Sequence, residues 1–169
     1  MRFNHIPDVT VTADFAMENG QRYRYRLDVA LENPPPANAT ACVIMMNPSY
    51  ACVEHADKSV QFMERIVFLK QLPEFADVGR LIVVNQFAKI QTRNFQGLPQ
   101  DIGSRNNAAI QTAFAESGII IAAWGCANPF HNRIALISEL LATMMPGKRL
   151  YRTSKHPSRG KYAGFILPW

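Results

Sequence analysis

Four short polar motifs, each following an apolar run, contain the residues of this sequence best suited to chemistry. They are Asn47-Pro48-Ser49, Asn85-Gln86-Phe87, Trp124-Gly125 and Lys155-His156-Pro157-Ser158. In a parallel α/β sheet, the residues just beyond the carboxyl ends of the strands gather along one edge, where such folds bind ligands. The sequence therefore predicts that the four motifs share one pocket.

Three side chains are the candidate catalytic groups: Asn47, Asp57 and His156. Asn47 must end its strand because Pro48 follows it, and its amide is able to orient a water or read the edge of a base. Asp57 stands directly before a predicted helix, so it is either an N-cap or a pocket carboxylate. His156 lies in a basic loop, where it is able to donate a proton or stabilise developing negative charge. The alternatives for Asn47 and His156 are a capping turn and an exposed loop histidine.

The other motif residues are candidate substrate-binding groups. A planar ring beside amides suits a nucleobase, because aromatic rings stack on bases and amides pair with their edges. Segment 103–107 reads G-S-R-N-N at the start of a predicted helix, where free N–H groups favour an anion. Core packing is the alternative for Phe87 and Trp124. The candidate binding residues are Pro48, Ser49, Asn85, Phe87, Asn106, Trp124, Gly125 and Ser158.

Positive charge is concentrated at the C-terminal end of the chain. The net charge is +5, and no acidic residue follows Glu139. Basic side chains neutralise the phosphates of a nucleic acid or nucleotide, and the candidates for this role are Lys155, Arg159 and Lys161. The alternative is a solvated positive surface. Arg22, Arg24 and Arg26 share one face of a predicted strand, and we expect them to be solvated rather than to face phosphates.

The order of predicted elements is that of an α/β protein forming a single domain over residues 1–169. Val9 to Ala16 and Arg22 to Leu31 alternate apolar and polar residues around Asn19-Gly20, which predicts an antiparallel hairpin. After three prolines, short apolar strands alternate with helix-period segments, which predicts a mainly parallel sheet. The strands are Ala41 to Met46, Arg80 to Asn85, Gly118 to Trp124 and Lys148 to Thr153. The helices are Lys58 to Leu72, Ser104 to Glu116 and Asn132 to Met145.

Several functional classes are disfavoured by composition. Three cysteines, with no second ligand pair for Cys52 and His55, indicate neither a disulfide framework nor a metal site. No apolar stretch is long enough to cross a membrane, and the N-terminus lacks a signal-peptide pattern. We expect a cytoplasmic protein with no metal, no cofactor and no membrane partner, and the sequence leaves its oligomeric state open.

Five motifs in order carry a resemblance to a bacterial and phage family. They are C-V-I-M-M-N-P-S-Y-A with Asp57 downstream, V-V-N-Q-F-A, G-S-R-N-N, A-A-W-G and K-H-P-S. Over about Arg22 to Pro168 the sequence resembles the family called domain of unknown function 1643, which brings no established activity. It departs from that family's pattern at Asn107, where an aspartate is usual, and over Ser158 to Tyr162.

The motif order is also similar, more distantly, to that of the uracil-DNA glycosylase superfamily. That resemblance implies a three-layer α/β/α sandwich in which Asn47 orients water, Asn85 reads the base and His156 faces the departing base. It implies DNA or a nucleotide as the partner and hydrolysis of an N-glycosidic bond, with no cofactor. Met45 departs from the pattern, because glycosylases of this type have glycine there. An enzyme acting on a free nucleotide or nucleoside, and a binding module without catalysis, remain the alternatives.

Overall fold

A mixed seven-stranded sheet forms the centre of the molecule. The computed structural model describes residues 3–144 and 146–169. The strand order is β1-β2-β4-β3-β5-β6-β7, and the four central strands β4, β3, β5 and β6 are mutually parallel. The strands are β1 Val9–Glu18, β2 Gln21–Leu31, β3 Ala39–Met45, β4 Val78–Asn85, β5 Ile119–Ala122, β6 Arg149–Thr153 and β7 Ile166–Pro168.

Helices cover both faces of this sheet, because the central strands are apolar on both sides. Along β3, Val43 and Met45 pack with one apolar cluster and Cys42 and Ile44 with another. The first cluster includes side chains of helix α1, Lys58–Glu64. The second includes side chains of α2, Asn106–Glu116, and α3, His131–Thr143. The predicted α/β class is confirmed, and the helices lie on both faces of a mixed sheet.

The predicted hairpin and core strands form, and the helix predictions need small corrections. The segment Lys58 to Leu72 is not one α-helix, because a π-helical turn over Arg65–Leu69 follows α1. The predicted end of the third helix at Met145 lies outside the described residues. The sheet is also less parallel than predicted, since β1, β2 and β7 pair antiparallel at its two sides.

The N-terminal hairpin joins the main sheet rather than standing beside it. Strand β2 pairs with β1 on one side and with β4 on the other, so it lies inside the sheet and not at its edge. The expectation that Arg24 is solvated is therefore wrong, since that side chain is only 1% exposed. Within the described residues, no helix has the length and apolar character needed to cross a membrane.

Candidate functional site

A cleft lies at the carboxyl ends of the parallel strands and has two adjoining compartments. The small compartment, about 240 Å³, is lined by Arg24, Asn47, Ser49, Asp57, His156 and Ser158, among others. The large compartment, about 530 Å³, is lined by Trp124, Gly125, Cys126, Lys155, His156, Ser158 and Arg159, among others. Met46, His156 and Ser158 belong to both compartments and form the boundary between them. The first, third and fourth motifs thus meet in one cleft.

His156 has a fixed protonation pattern. The Ser158 backbone N–H donates to its Nδ1 over 3.2 Å, and the Ser158 hydroxyl lies 2.9 Å from the same atom. Since an N–H group only donates, Nδ1 is the acceptor, and the neutral ring carries its proton on Nε2. Burial lowers the pKa of His156 below 6.5, and the positive charge of Arg159 adds to this, against the opposing charge of Asp57. The ring is therefore a neutral donor at pH 7.

Asp57 fills both roles that the sequence left open. Its Oδ1 accepts the backbone N–H groups of Ser59 and Val60, each over 2.9 Å, so the side chain caps α1. The same carboxylate lines the small compartment and is 6% exposed. Its negative charge acts on both Arg24 and His156. Capping therefore holds a buried carboxylate at a fixed place in the wall of the cleft.

Asn47 is anchored through its amide nitrogen. Its Nδ2 donates to the Gln91 carbonyl over 2.7 Å and to the Pro48 carbonyl over 3.3 Å. These two bonds identify the nitrogen end of the amide, so Oδ1 is the other end and is able only to accept. A carbonyl oxygen held in this way suits a water or a donor group of a ligand.

Arg24 lines the small compartment, although the sequence predicted a solvated side chain. Its Nη1 donates to the Ala51 carbonyl over 3.1 Å and its Nη2 to Asn85 Oδ1 over 3.0 Å, while the buried Nε has no partner in the described residues. Burial lowers the pKa of Arg24, and the charge of Asp57 opposes that effect. A desolvated cation next to the small compartment favours an anionic or electron-rich ligand.

The large compartment combines an aromatic wall with positive charge. Trp124 is half-buried and meets Trp169 edge-to-face at 6.4 Å between ring centroids. Gly125 has φ +81°, and a Cβ there would come 3.0 Å from the His156 backbone nitrogen, so glycine lets the histidine loop approach. Lys155 and Arg159 line the compartment with exposed side chains. Trp124 is thus a wall of the cleft as well as a packing residue.

Five predicted site residues lie outside the cleft lining. Asn85 is buried behind Arg24, and Asn106 Nδ2 donates to the Asn85 and Gln86 carbonyls, each over 3.0 Å. Phe87 lines a different cavity. Pro48 is buried, and Lys161 is exposed beyond the lining. The second motif, Asn85-Gln86-Phe87, therefore lies beneath the cleft and does not form its surface. Asn106 holds this motif in place through its two hydrogen bonds.

Two departures noted in the sequence, Met45 from the glycosylase pattern and Asn107 from the pattern of domain of unknown function 1643, have definite places in the structure. Met45 is 3% exposed and lines the small compartment from the core, where it occupies space that a glycine would leave open. Asn107 is exposed and lines the cavity that contains Phe87. No group of three or more His, Cys, Asp or Glu side chains among residues 3–144 and 146–169 is arranged to hold a metal ion.

Comparison with known proteins places the chain in a family. Residues 24–158 match the model described as "Protein of unknown function (DUF1643)". The chain belongs to the DUF1643 family. No curated protein matches it. Among solved structures, hetero-hexameric glutamate dehydrogenase from Thermus thermophilus, in its leucine-bound form, is similar at 12% identity, with a TM-score of 0.42 over 89% of this chain and 34% of that chain. This likeness is too low to support any conclusion about function.

Proposed function

We propose that this DUF1643 protein binds a nucleotide unit in the cleft and hydrolyses its N-glycosidic bond, with DNA as the substrate. The observation that carries the proposal is the pairing of a neutral histidine donor and a buried carboxylate, His156 and Asp57, on the walls of one small compartment. Burial lowers the pKa values of His156 and Arg24, which line the same compartment, and perturbed titratable groups gathered in a cleft are typical of catalytic sites.

Each group has a role in that reaction. A base leaving a sugar takes the bonding electron pair, and His156 Nε2–H is suited to stabilise the resulting anion. The carbonyl oxygen of Asn47 orients the attacking water, and Asp57 stabilises positive charge developing on the sugar. As its oxygen bonds to the sugar carbon, the water loses a proton to solvent, and the departing anionic base takes up a proton from solvent. These charges balance electrostatically, so the reaction needs no metal or organic cofactor. Trp124 offers a ring for stacking, and Lys155 and Arg159 offer charge for the flanking phosphates.

The test is a base-release assay on single- and double-stranded oligonucleotides that contain uracil, hypoxanthine or alkylated bases. We expect release of at least one base by the wild type, and its loss in Asn47→Ala, Asp57→Asn and His156→Ala. The controls are His55→Ala and Asn33→Ala, because neither side chain lines the cleft. Release that survives all three cleft substitutions, or no release from any base, would refute the hydrolase.

A free nucleotide or nucleoside is the second candidate substrate. The observation that favours it is the position of Lys155 and Arg159, which line a concave compartment of about 530 Å³ and so are able to hold the phosphate of a single nucleotide. This candidate predicts saturable binding of mononucleotides and no salt-sensitive affinity for duplex DNA. The same cleft variants would then lose mononucleotide binding or turnover while duplex binding stays absent.

A further inference from the structure

A third compartment, of about 400 Å³, adjoins the large compartment of the cleft. Helix α3 contributes Ile134 and Ser138 to its wall, and strand β6 contributes Arg152. Segment 124–126 lines both the large and the third compartments, whereas the small and the third share no lining residue. The three compartments therefore form a row, with the large compartment in the middle.

Both tryptophans of the chain, Trp124 and Trp169, line the third compartment. Trp169 directly follows β7, and the antiparallel pairing of β7 with β6 holds it next to that compartment. The two rings meet edge-to-face, and Trp169 is 51% exposed. A nucleobase is able to stack on an indole that is held in place and half-exposed. The third compartment thus offers a stacking surface that the proposed hydrolysis does not use.

Positive charge continues along the row of compartments. Arg152 is exposed, and its Nε donates to the Pro168 carbonyl over 3.1 Å, which holds the guanidinium next to the Trp169 backbone. Lys155 and Arg159 line the large compartment. Of the described residues that line these two compartments, none is acidic. Three cations spread over two compartments suit the successive phosphates of a nucleotide strand better than a single phosphate.

We propose that the large and third compartments form a track for single-stranded DNA, in which a nucleotide beside the target stacks on Trp169 and Arg152 contacts its phosphate. This inference rests on the proposed function, because the target nucleotide occupies the small compartment. A base stacks on an indole only when one of its faces is free, and inside a duplex the neighbouring base pairs cover both faces. The track therefore selects an unpaired strand over a duplex.

The experiment measures binding of labelled oligothymidylates of increasing length, and of the duplex of the longest one, by fluorescence anisotropy. Oligouridylates of the same lengths are the comparison probes. None of these strands needs to contain a target base, so binding is separated from hydrolysis. We expect affinity to rise from one nucleotide to several and to be higher for the single strand than for the duplex. Binding should also quench the tryptophan fluorescence, because both tryptophans line the track.

Two substitutions separate stacking from charge. Trp169→Ala should weaken binding of the single strand by about fivefold to a hundredfold, the range expected for one lost base stack. Trp169→Phe keeps a stacking ring and should recover most of that loss. Arg152→Ala should lower the salt slope by about 0.7, as expected for one phosphate contact of a single strand. Tyr162→Ala is the matched control, since Tyr162 is an exposed aromatic residue that lines a different cavity, and it should bind as the wild type does.

A scan of abasic positions tests the stacking contact directly. Removing one base at a time, while keeping the backbone, should reveal one position where the loss of affinity equals that of Trp169→Ala. With that abasic strand, Trp169→Ala should cause no further loss, because the two changes remove the same contact. Independent, additive losses at every position would contradict stacking on Trp169.

Several results would overturn the track. They are equal or tighter binding of the duplex, tighter binding of the oligouridylates, a mononucleotide that binds as tightly as the longer strands, and Trp169→Ala binding as Tyr162→Ala does. Base release that is equal from single strands and duplexes, and unaffected by Trp169→Ala, would reject the track and leave the hydrolase in place. Trp169-dependent binding of single strands without release of any base would support the track and reject the hydrolase.

Discussion

His156 owes its tautomer to the chain immediately after it. Pro157 begins a short 3₁₀ turn, and this turn brings the Ser158 N–H back onto the Nδ1 of the ring. The sequence His-Pro-Ser thereby defines which nitrogen carries the proton, without a second segment of the chain. Burial keeps the ring neutral, so the donor is ready near neutral pH and is not held as a cation.

Acidification should charge this ring only below the pH at which a free histidine titrates. Because the folded-state pKa lies below 6.5, the unfolded chain binds the proton first as the pH falls. The contribution of His156 to stability is therefore present above pH 6.5 and is lost as the pH falls below it. An NMR titration of the ring should give a midpoint below 6.5, and Ser158→Ala, which keeps the backbone N–H, should leave the proton on Nε2. A midpoint above 6.5 would contradict this account.

Asn106 should contribute strongly to the stability of the folded protein. Its Nδ2 satisfies the buried Asn85 and Gln86 carbonyls, and the side chain is fully buried. Asn106→Ala should lower the free energy of unfolding by about 2–3 kcal/mol, because the Asn85 carbonyl loses this donor and the Gln86 carbonyl keeps only its bond from Arg133 Nε. Urea denaturation measures the change. The neighbouring Asn107→Ala, at an exposed position, should stay within about 0.5 kcal/mol of wild type.

The sequence predicted at which edge of the sheet the cleft lies better than it predicted which residues line the cleft. Asn47 and His156 follow apolar runs, and Asp57 directly precedes a helix. These features depend only on neighbouring residues in the sequence, so folding does not change them. Arg24 gave no such signal, because alternation along β2 indicates a polar face but does not reveal that β4 will pair beside it. Phe87 was ambiguous for the same reason, since the choice between two cavities depends on the loop 95–102 and α3 rather than on its neighbours in sequence.

The segment before β1 is held to the helical layer by one buried ion pair. His5 Nδ1 lies 2.5 Å from Glu64 Oε1, the Ile6 N–H donates to Glu64 Oε2, and the carboxylate is fully buried. Burial opposes charge on the ring, but hydrogen bonds to Glu64 and to the Cys52 carbonyl outweigh it and raise the pKa of His5 above 6.5. The pair joins the chain start to the end of α1.

Removing His5 should destabilise the protein strongly. His5→Ala leaves Glu64 buried without its cation, which should cost about 3 kcal/mol in the free energy of unfolding. The wild-type contribution is fully present below pH 6.5, and it is lost as the pH rises through the raised folded-state pKa. Thermal melts at pH 6 and pH 9 should therefore differ more between wild type and His5→Ala at pH 6. An equal difference between the two proteins at pH 6 and pH 9 would contradict this account.

Helices and strands were predicted correctly where a segment has one clear hydrophobic period. The prediction failed where contacts with other segments determine the structure. The hairpin and the core strands have alternating or continuous apolar patterns that match their final environment. The change from α1 to the π-helical turn at Arg65–Leu69 leaves the apolar spacing almost unaltered, so the pattern does not show it. Strand β7, Ile166–Pro168, is too short and proline-bearing to be recognised without its partner β6.

The charge of the whole molecule gives a test of the DNA proposal. Affinity for DNA should fall linearly with the logarithm of salt concentration, and Lys155→Ala/Arg159→Ala should reduce that slope by about 2, one for each lost phosphate contact. Fluorescence anisotropy with single- and double-stranded oligonucleotides measures both slopes. The control Arg65→Ala/Lys70→Ala removes the same charge at a different cavity and should keep the wild-type slope. No binding at low salt would reject DNA as the partner.

The three cysteines lie at different depths, and Cys126 is exposed at the large compartment while Cys42 is inside the core. Burial raises the pKa of the Cys42 thiol, which suppresses its reactive thiolate in the folded chain. An alkylating reagent should therefore modify Cys126 quickly and reach Cys42 only when the sheet opens. The natural sequence thus contains two reporters: protection of Cys126 would show occupancy of the cleft, and the alkylation rate of Cys42 would show how often the molecule unfolds.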